Sequence, residues 1–379
     1  MDRWFFYAVT MKKTQLLLIT ILLFSIVGCL SNEETSPSEQ ETTKDKSINT
    51  KDTSYAQYIQ QHNIAGIKAT GYGYKFGEPS EGNILYATKY NKSGQLLDSL
   101  IYQQNGVIAS LHNTYNDQNK LLVSEIQDSA GYVKQKVVRT YDDKGNVLTF
   151  QLNQEEAVLY SQKMKYDEED RIVKITEFDK EGVPQVITNY TYNESGKLII
   201  DEQVDAIGNI LEKKVFVYDE KGNNTVQTIY GTDGQVVEKN FLKKYDENGN
   251  AQLIEKFDKN DSLIVTYHYE YDDKGKEVKS IIYNGIGQIV RQSMATLDAH
   301  GDEIMYEVYE GGKGLVGKDE RKYNEQHQEI ELIVYDNKEK QIKRKVSHYN
   351  DHGLLSEVIS YDKIDEPLFR MTFDYTFHK

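Results

Sequence analysis

The stretch Tyr218–Tyr271 reads YDEKGNNTVQTIYGTDGQVVEKNFLKKYDENGNAQLIEKFDKNDSLIVTYHYEY. It holds two copies of one pattern. An aromatic ends a strand, Asp follows it, and Gly stands four residues after the aromatic. An alternating run then leads to the next aromatic.

The pattern extends in both directions. Tyr90, Tyr115, Tyr141, Tyr166, Tyr192, Tyr218, Tyr245, Tyr271, Leu297, Tyr323, Tyr349 and Tyr375 follow one another at intervals of 25 to 27 residues. Weaker marks lie between them, among them Tyr102, Phe178, Tyr230, Phe257, Tyr283, Tyr309, Tyr335 and Tyr361. A fixed period in this range is the signature of a repeat architecture. The unit therefore has two strands and two turns.

Turn chemistry supports hairpins. In Asp219–Gly222 the Asp side chain can accept from backbone N–H groups further along. The glycine then supplies the left-handed residue that ends a type I turn with a bulge. The same pairing occurs at Asp142 and Gly145, Asp246 and Gly249, and Asp272 and Gly275. Of 22 positions four after a mark, 14 are Gly, and Asn119, Asp170, Asp261 and Asp365 also tolerate positive φ. Ala157, Lys313, His327 and Glu339 break the rule.

Strand chemistry agrees. Leu263, Val265, Tyr267, Tyr269 and Tyr271 alternate with Ile264, Thr266, His268 and Glu270, the period-two signature. The expected fold is all-β: a long antiparallel β-meander of about eleven two-strand units, forming an open twisted or spiralling sheet. Residues 54–87 are expected to hold a short helix and a cap over the first edge, and the repeats to run over 88–379.

The N-terminal segment has a different character. From Met11, two lysines precede the apolar run Leu16–Val27, which reads as a secretory signal over residues 1–28. Ile26-Val27-Gly28-Cys29 resembles the bacterial lipobox, which implies cleavage before Cys29 and lipid on its thiol. The resemblance thus implies membrane anchoring through that lipid and an extracytoplasmic location, on the cell membrane or the outer membrane. Cys29 is the sole cysteine, which excludes disulfides within the chain. Residues 29–53 are rich in Ser, Thr, Glu and Lys and read as a disordered tether.

The Tyr-Asp-x-x-Gly turns at 141–145, 218–222, 245–249 and 271–275 resemble the YD repeats of the Rhs family. That family builds continuous ribbons of β-hairpins that can spiral into hollow shells. This chain departs from it in carrying Asn146, Asn223 and Asn250 where an Arg often follows the glycine.

The formal charge of −15 argues against nucleic acid and anionic membrane surfaces as partners. No cofactor or metal motif is present. Asp219–Gly222 places a lysine among would-be calcium ligands, and Gly311–Gly314 lacks the Ser or Thr of a phosphate loop. The expectation is a non-catalytic platform that binds a glycan or a protein, or serves a structural role. Tyr267, Tyr269 and Tyr271 are the candidate aromatic ladder for stacking on sugars. The rival readings are an immunity-type lipoprotein binding a toxin, and a glycan-acting enzyme using paired carboxylates.

Overall fold

The structure, a computed structural model, describes residues 50–379; the signal, Cys29 and most of the tether lie outside the described residues. A helix, α1 (Thr50–Gln61), leads into strands β1 to β25 in chain order. It starts four residues before residue 54, the expected start of the short helix.

From β3 (Asn83–Tyr90) to β25 (Pro367–Phe377) each strand pairs antiparallel with the next. The alternating residues and tight turns leave no other neighbour within reach. The two-residue β2 (Glu78–Pro79) only folds back on the end of β1 (Ile64–Lys75).

The sheet is not open, and this corrects the expectation of an open twisted or spiralling array. β1 pairs with β3 on one side and with β25 on the other, both antiparallel. β1 and the 23 strands β3–β25 thus form a closed barrel of 24 strands. The segment read as a cap over a free edge contains the strand that removes both edges. Closure satisfies every ladder, which a bare edge cannot do.

Glycines make the seam possible. A Cβ on Gly66 would lie 2.7 Å from the Thr88 carbonyl oxygen, and one on Gly71 would lie 2.8 Å from the Phe369 ring. At the end of the seam Asn63 Nδ2 donates to the His378 carbonyl at 2.8 Å, and His378 N donates to the Asn63 carbonyl at 3.0 Å.

Strands make extensive contact with their ladder neighbours alone, so no wall packs on the opposite wall. With ~4.8 Å between strands and the usual tilt, 24 strands give a circular section of ~45 Å between backbones. The barrel is therefore hollow, and its core is a thin layer on one face. That face carries Ile67, Ala69, Tyr86, Tyr90, Ala109, Ile126, Phe216, Leu242, Ile254 and Tyr269, all buried. Side chains converge on the concave side of a closed ring, so this is the inner wall. The helix packs on it at the seam, where Ile59, Ile64 and Leu354 are fully buried.

The turns fall on two rims. Turns after the tyrosine marks form one rim, which also holds α1 and the chain's C-terminal end. The weaker-mark turns and the β1–β3 connection form the other.

Candidate functional site

The tyrosine marks all lie on the inner wall, because each ends its strand in the same register. Ten of them donate through the hydroxyl to a carbonyl 19 to 21 residues earlier, at the start of the preceding strand, their ladder neighbour. Tyr141 to Leu121, Tyr166 to Val147, Tyr192 to Ile172 and Tyr375 to Leu355 are examples, at 2.7 to 2.9 Å. Tyr245 makes the same bond to Asn224. Burial pushes the phenols of Tyr245, Tyr271, Tyr323 and Tyr349 up to about 12. Tyr90 instead meets the Tyr55 hydroxyl of α1 at 3.2 Å.

Tyr267, Tyr269 and Tyr271 belong to this wall. Their rings follow one another at 6.3 Å, the first two nearly parallel. Tyr269 is buried against Leu242 and Ile254, with Tyr267 and Tyr271 half-buried beside it. The Tyr271 hydroxyl is tied to the Ala251 carbonyl at 3.0 Å. Elsewhere rings are covered by cations, Arg171 over Tyr192 at 4.7 Å and Lys197 over Tyr218 at 5.4 Å. Ring faces along this wall are thus largely taken up by the protein itself.

The turn residues form the first rim. Asp142 Oδ1 accepts from Lys144 N at 3.0 Å and Asn146 N at 2.8 Å, and Asp246 and Asp272 do the same in their turns. Asp219 accepts from Asn223 N at 2.8 Å. Hydrogen bonding from Asn223 and Asn250 holds the Asp219 and Asp246 carboxyls below the usual range. Gly145, Gly222, Gly249 and Gly275 all have φ between 81° and 89°. These are turn-building roles; among the described residues no cluster of His, Cys, Asp or Glu could hold a metal ion.

Sequence reading passed over one column of the repeat. Six residues after a tyrosine mark stand Leu96, Leu121, Val147, Ile172 and Leu198, but Glu277, Glu303 and Glu329 occupy that position in three successive units. On the inner wall Glu303 and Glu329 join an ion chain. Lys276 lies 3.3 Å from Glu303, Arg321 bridges Glu303 and Glu329, and Lys345 lies 2.7 Å from Glu329. Here too the tyrosine mark is replaced by Leu297. The signal was present as a break in an aliphatic column.

One constellation resembles hydrolase chemistry. On the outer wall His112 Nδ1 lies 2.7 Å from Asp98, and Nε2 lies 3.0 Å from the Ser110 hydroxyl. Asp98 lies on β4 (Leu96–Gln103), and Ser110 and His112 on β5 (Gly106–Tyr115). Ser110 pairs with Leu100 on one side and with Gln127 on the other, inside continuous ladders. The backbone N–H groups around it are engaged there, so no donor pair is left for an oxyanion. This is an oriented imidazole, not an assembled active site.

The outer wall is built for water. Mid-strand ion pairs stand on it: Lys136 with Glu125, Lys213 with Glu202, Lys279 with Glu270, and Arg344 with Glu331, at 2.6 to 3.0 Å. A lipid-facing barrel needs an apolar band in their place.

The rims differ in one column. At the third turn position the first rim has Ser93, Gln118, Lys144, Glu169, Ser195, Lys221, Asn248, Lys274, His300, Gln326 and His352, all polar. The second rim has Ile207, Ile286 and Ile364 there at three of its eleven turns, 86%, 79% and 66% exposed, where the first rim has no apolar residue at this position in any turn. It also displays Phe76 and Tyr132, 94% and 70% exposed. Sequence reading did not compare these columns, although the contrast was visible in them.

Comparison with known proteins adds little at this resolution of likeness. A family model described as an uncharacterised protein matches residues 39–204. No curated protein matches the chain. Among solved structures, the TcdB2-TccC3-Cdc42 structure matches 80% of this chain and 19% of its own at 11% identity, TM-score 0.41. The Photorhabdus luminescens Tc holotoxin pore matches 81% and 18% at 12% identity, TM-score 0.38. The chain thus spans about a fifth of the length of both. A porin-like protein from Bacteroides uniformis matches 84% of this chain and 97% of its own at 12% identity, TM-score 0.21. At these TM-scores the likenesses carry no weight for function.

Proposed function

We propose that this is an extracytoplasmic, lipid-anchored, non-catalytic barrel that docks a protein partner through its apolar-tipped rim. The observation that carries the reading is the contrast between the two rims at the same turn position. Turn tips are ordinarily polar, and exposed large apolar residues gathered at one end of a molecule mark an interaction surface. The tips stand among carboxylates, including Asp205, Glu181 and Asp365, so the matching partner surface is apolar with a basic surround. Cys29 supplies the anchor. The chain enters the barrel at the opposite rim, which leaves the apolar rim free.

Photo-crosslinking residues placed at Ile286 and, on the other rim, at Lys274 test this on intact cells. A protein adduct formed at 286 and missing at 274 is expected, and Ile207→Ser with Ile364→Ser should weaken it. Equal adducts at both positions, or adducts of glycan alone, would overturn the docking role. Cys29→Ser should move the protein out of the membrane fraction; unchanged fractionation would remove the anchor.

A further inference from the structure

We infer that the outer wall of β9 (Ala157–Tyr166) and β10 (Ile172–Phe178) is a binding site for a linear polymer of phosphodiesters. Lys165 and Lys174 are direct cross-strand partners, and Lys163 stands two residues along the same face. Side chains of opposed residues in a ladder are ~5 Å apart at Cβ, and residues two apart on one strand ~7 Å. Three ammonium groups are thus held in a triangle on one wall.

Like charges directly opposite in a ladder destabilise it. The rest of the outer wall avoids this by facing cations with carboxylates, as in Lys136–Glu125 and Lys213–Glu202. Around the three lysines the outward residues are instead Thr149, Thr176 and Asn189, which donate hydrogen bonds without adding negative charge. Across β8 (Val147–Gln154), β9, β10 and β11 (Pro184–Tyr192) no carboxylate points outward from a ladder. Lys163 lies 5.3 Å from the Phe178 ring; among the described residues Lys165 and Lys174 have no carboxylate within ion-pair distance.

The adjoining turn is acidic, but three of its four carboxylates are engaged. Asp167 and Glu169 hold Arg171 at 2.7 and 3.0 Å, and Asp170 holds Lys144 at 2.8 Å; Glu168 alone is left facing solvent. The patch is therefore a local cationic strip on a chain of net charge −15. An anion with one charge would meet one lysine at a time, whereas a chain with charges ~7 Å apart meets all three. Its length along the wall, and the absence of any enclosing loop, suit a polymer rather than a small ion.

The probe is a fluorescein-labelled abasic phosphodiester oligomer, which has the charge spacing and no bases. Fluorescence anisotropy on the folded barrel at low salt should show binding. With three contacts, log affinity should fall against log salt with a slope of about −2. Lys163→Gln, Lys165→Gln and Lys174→Gln together should abolish binding, while Lys136→Gln with Lys213→Gln should leave it unchanged. The triple variant should also melt higher, because the like-charge pair is gone; that reading shows it is folded. No binding by the unaltered barrel, undiminished binding by the triple variant, or binding only to anionic lipid vesicles would each overturn the proposal. Equal binding of polyglutamate would widen the ligand class to any linear polyanion and overturn the phosphate assignment.

Discussion

The Tyr218 hydroxyl, at the end of β13 (Ile210–Tyr218), donates at 2.7 Å to the carbonyl of Leu198, at the start of its ladder neighbour β12 (Leu198–Asp205). One side chain thus ties the end of a hairpin's second strand to the start of its first. The same relation recurs from Tyr115 to Tyr375, with Leu297 as its exception. It fastens the open end of each hairpin with a side-chain bond added to the backbone ladder of the same two strands.

Removing one such bond should cost about 1 kcal/mol, the net worth of a hydrogen bond whose acceptor is left near water. Tyr218→Phe keeps the ring and deletes only the donor. Its urea midpoint should fall, with the slope of the transition unchanged. Leu297→Tyr should do the reverse, since the Glu277 carbonyl stands at the matching position. Opposite or null shifts for the pair would show that the hydroxyl series is not a stabilising element.

Acid should loosen the rims. Bonds from the backbone of Ser262 and Lys340 hold the Asp258 and Asp336 carboxyls low, as Asn223 and Asn250 do for Asp219 and Asp246. A carboxyl whose folded pKa is depressed contributes stability that is fully present above its unfolded value, roughly pH 4. That contribution is lost as pH falls through the lower folded value. Asn makes the same turn without titrating: Asn91 accepts from Ser93 N at 3.0 Å and Gln95 N at 2.9 Å. Changing Asp219, Asp246, Asp258 and Asp336 to Asn should therefore flatten the loss of stability below pH 4. Thermal melts across pH 2 to 6 would show it as a smaller drop than in the parent.

Two turns of the regular lattice carry, at the position usually held by glycine, a residue that does not suit the backbone. His327 and Glu339 have φ of 60° and 55°, where a Cβ is penalised. Glu339 reaches no closer than 4.0 Å to Lys318, so its side chain offers little in return. Glu339→Gly should stabilise the barrel by about 1 kcal/mol, read as a higher midpoint in denaturant. A neutral or lowered midpoint would mean that the side chain offsets the strain.

The turns and strands were legible because each depends on a few adjacent residues. Asp219 and Gly222 announce their hairpin whatever the distant chain does, and even His327 and Glu339 obey the position when they break its chemistry. Three turns escaped the rule: Gln104–Asn105 and Glu155–Glu156 use two consecutive left-handed residues, and Gly312 and Gly314 flank Lys313. Closure was not legible. It rests on β1, whose partner on one side lies some 300 residues away, as in Ile67 opposite Tyr375. Nothing in Ile64–Lys75 repeats the lattice, and its glycines read as weak points when they are the places where neighbours approach. Which wall faces inward follows only once the ring closes. The exposed column of Ile207, Ile286 and Ile364 gained its meaning at the same step, since an open ribbon has no rims.

Closure also sharpens the consequence of deleting repeats. Antiparallel neighbours all round a ring require an even number of strands. Deleting Asp219–Tyr245 joins Tyr218 to Asp246, removes β14 (Asn224–Tyr230) and β15 (Val236–Tyr245), and restores a Tyr-Asp turn. The ring should close again with 22 strands, a circumference smaller by about 8%, and one cooperative transition. Deleting Gly231–Asp246 removes β15 alone and leaves 23 strands. β25 would then reach β1 in the parallel sense, which its hydrogen bonds at Ile67, Ala69 and Gly71 do not fit. The seam should open and expose two edges, and free edges recruit other chains. Scattering and size-exclusion chromatography separate the outcomes: a smaller monomer for the first deletion, and an expanded or associating species for the second although it loses fewer residues. If both deletions give compact monomers, closure does not depend on strand parity and the seam between β1 and β25 is not what holds the barrel shut.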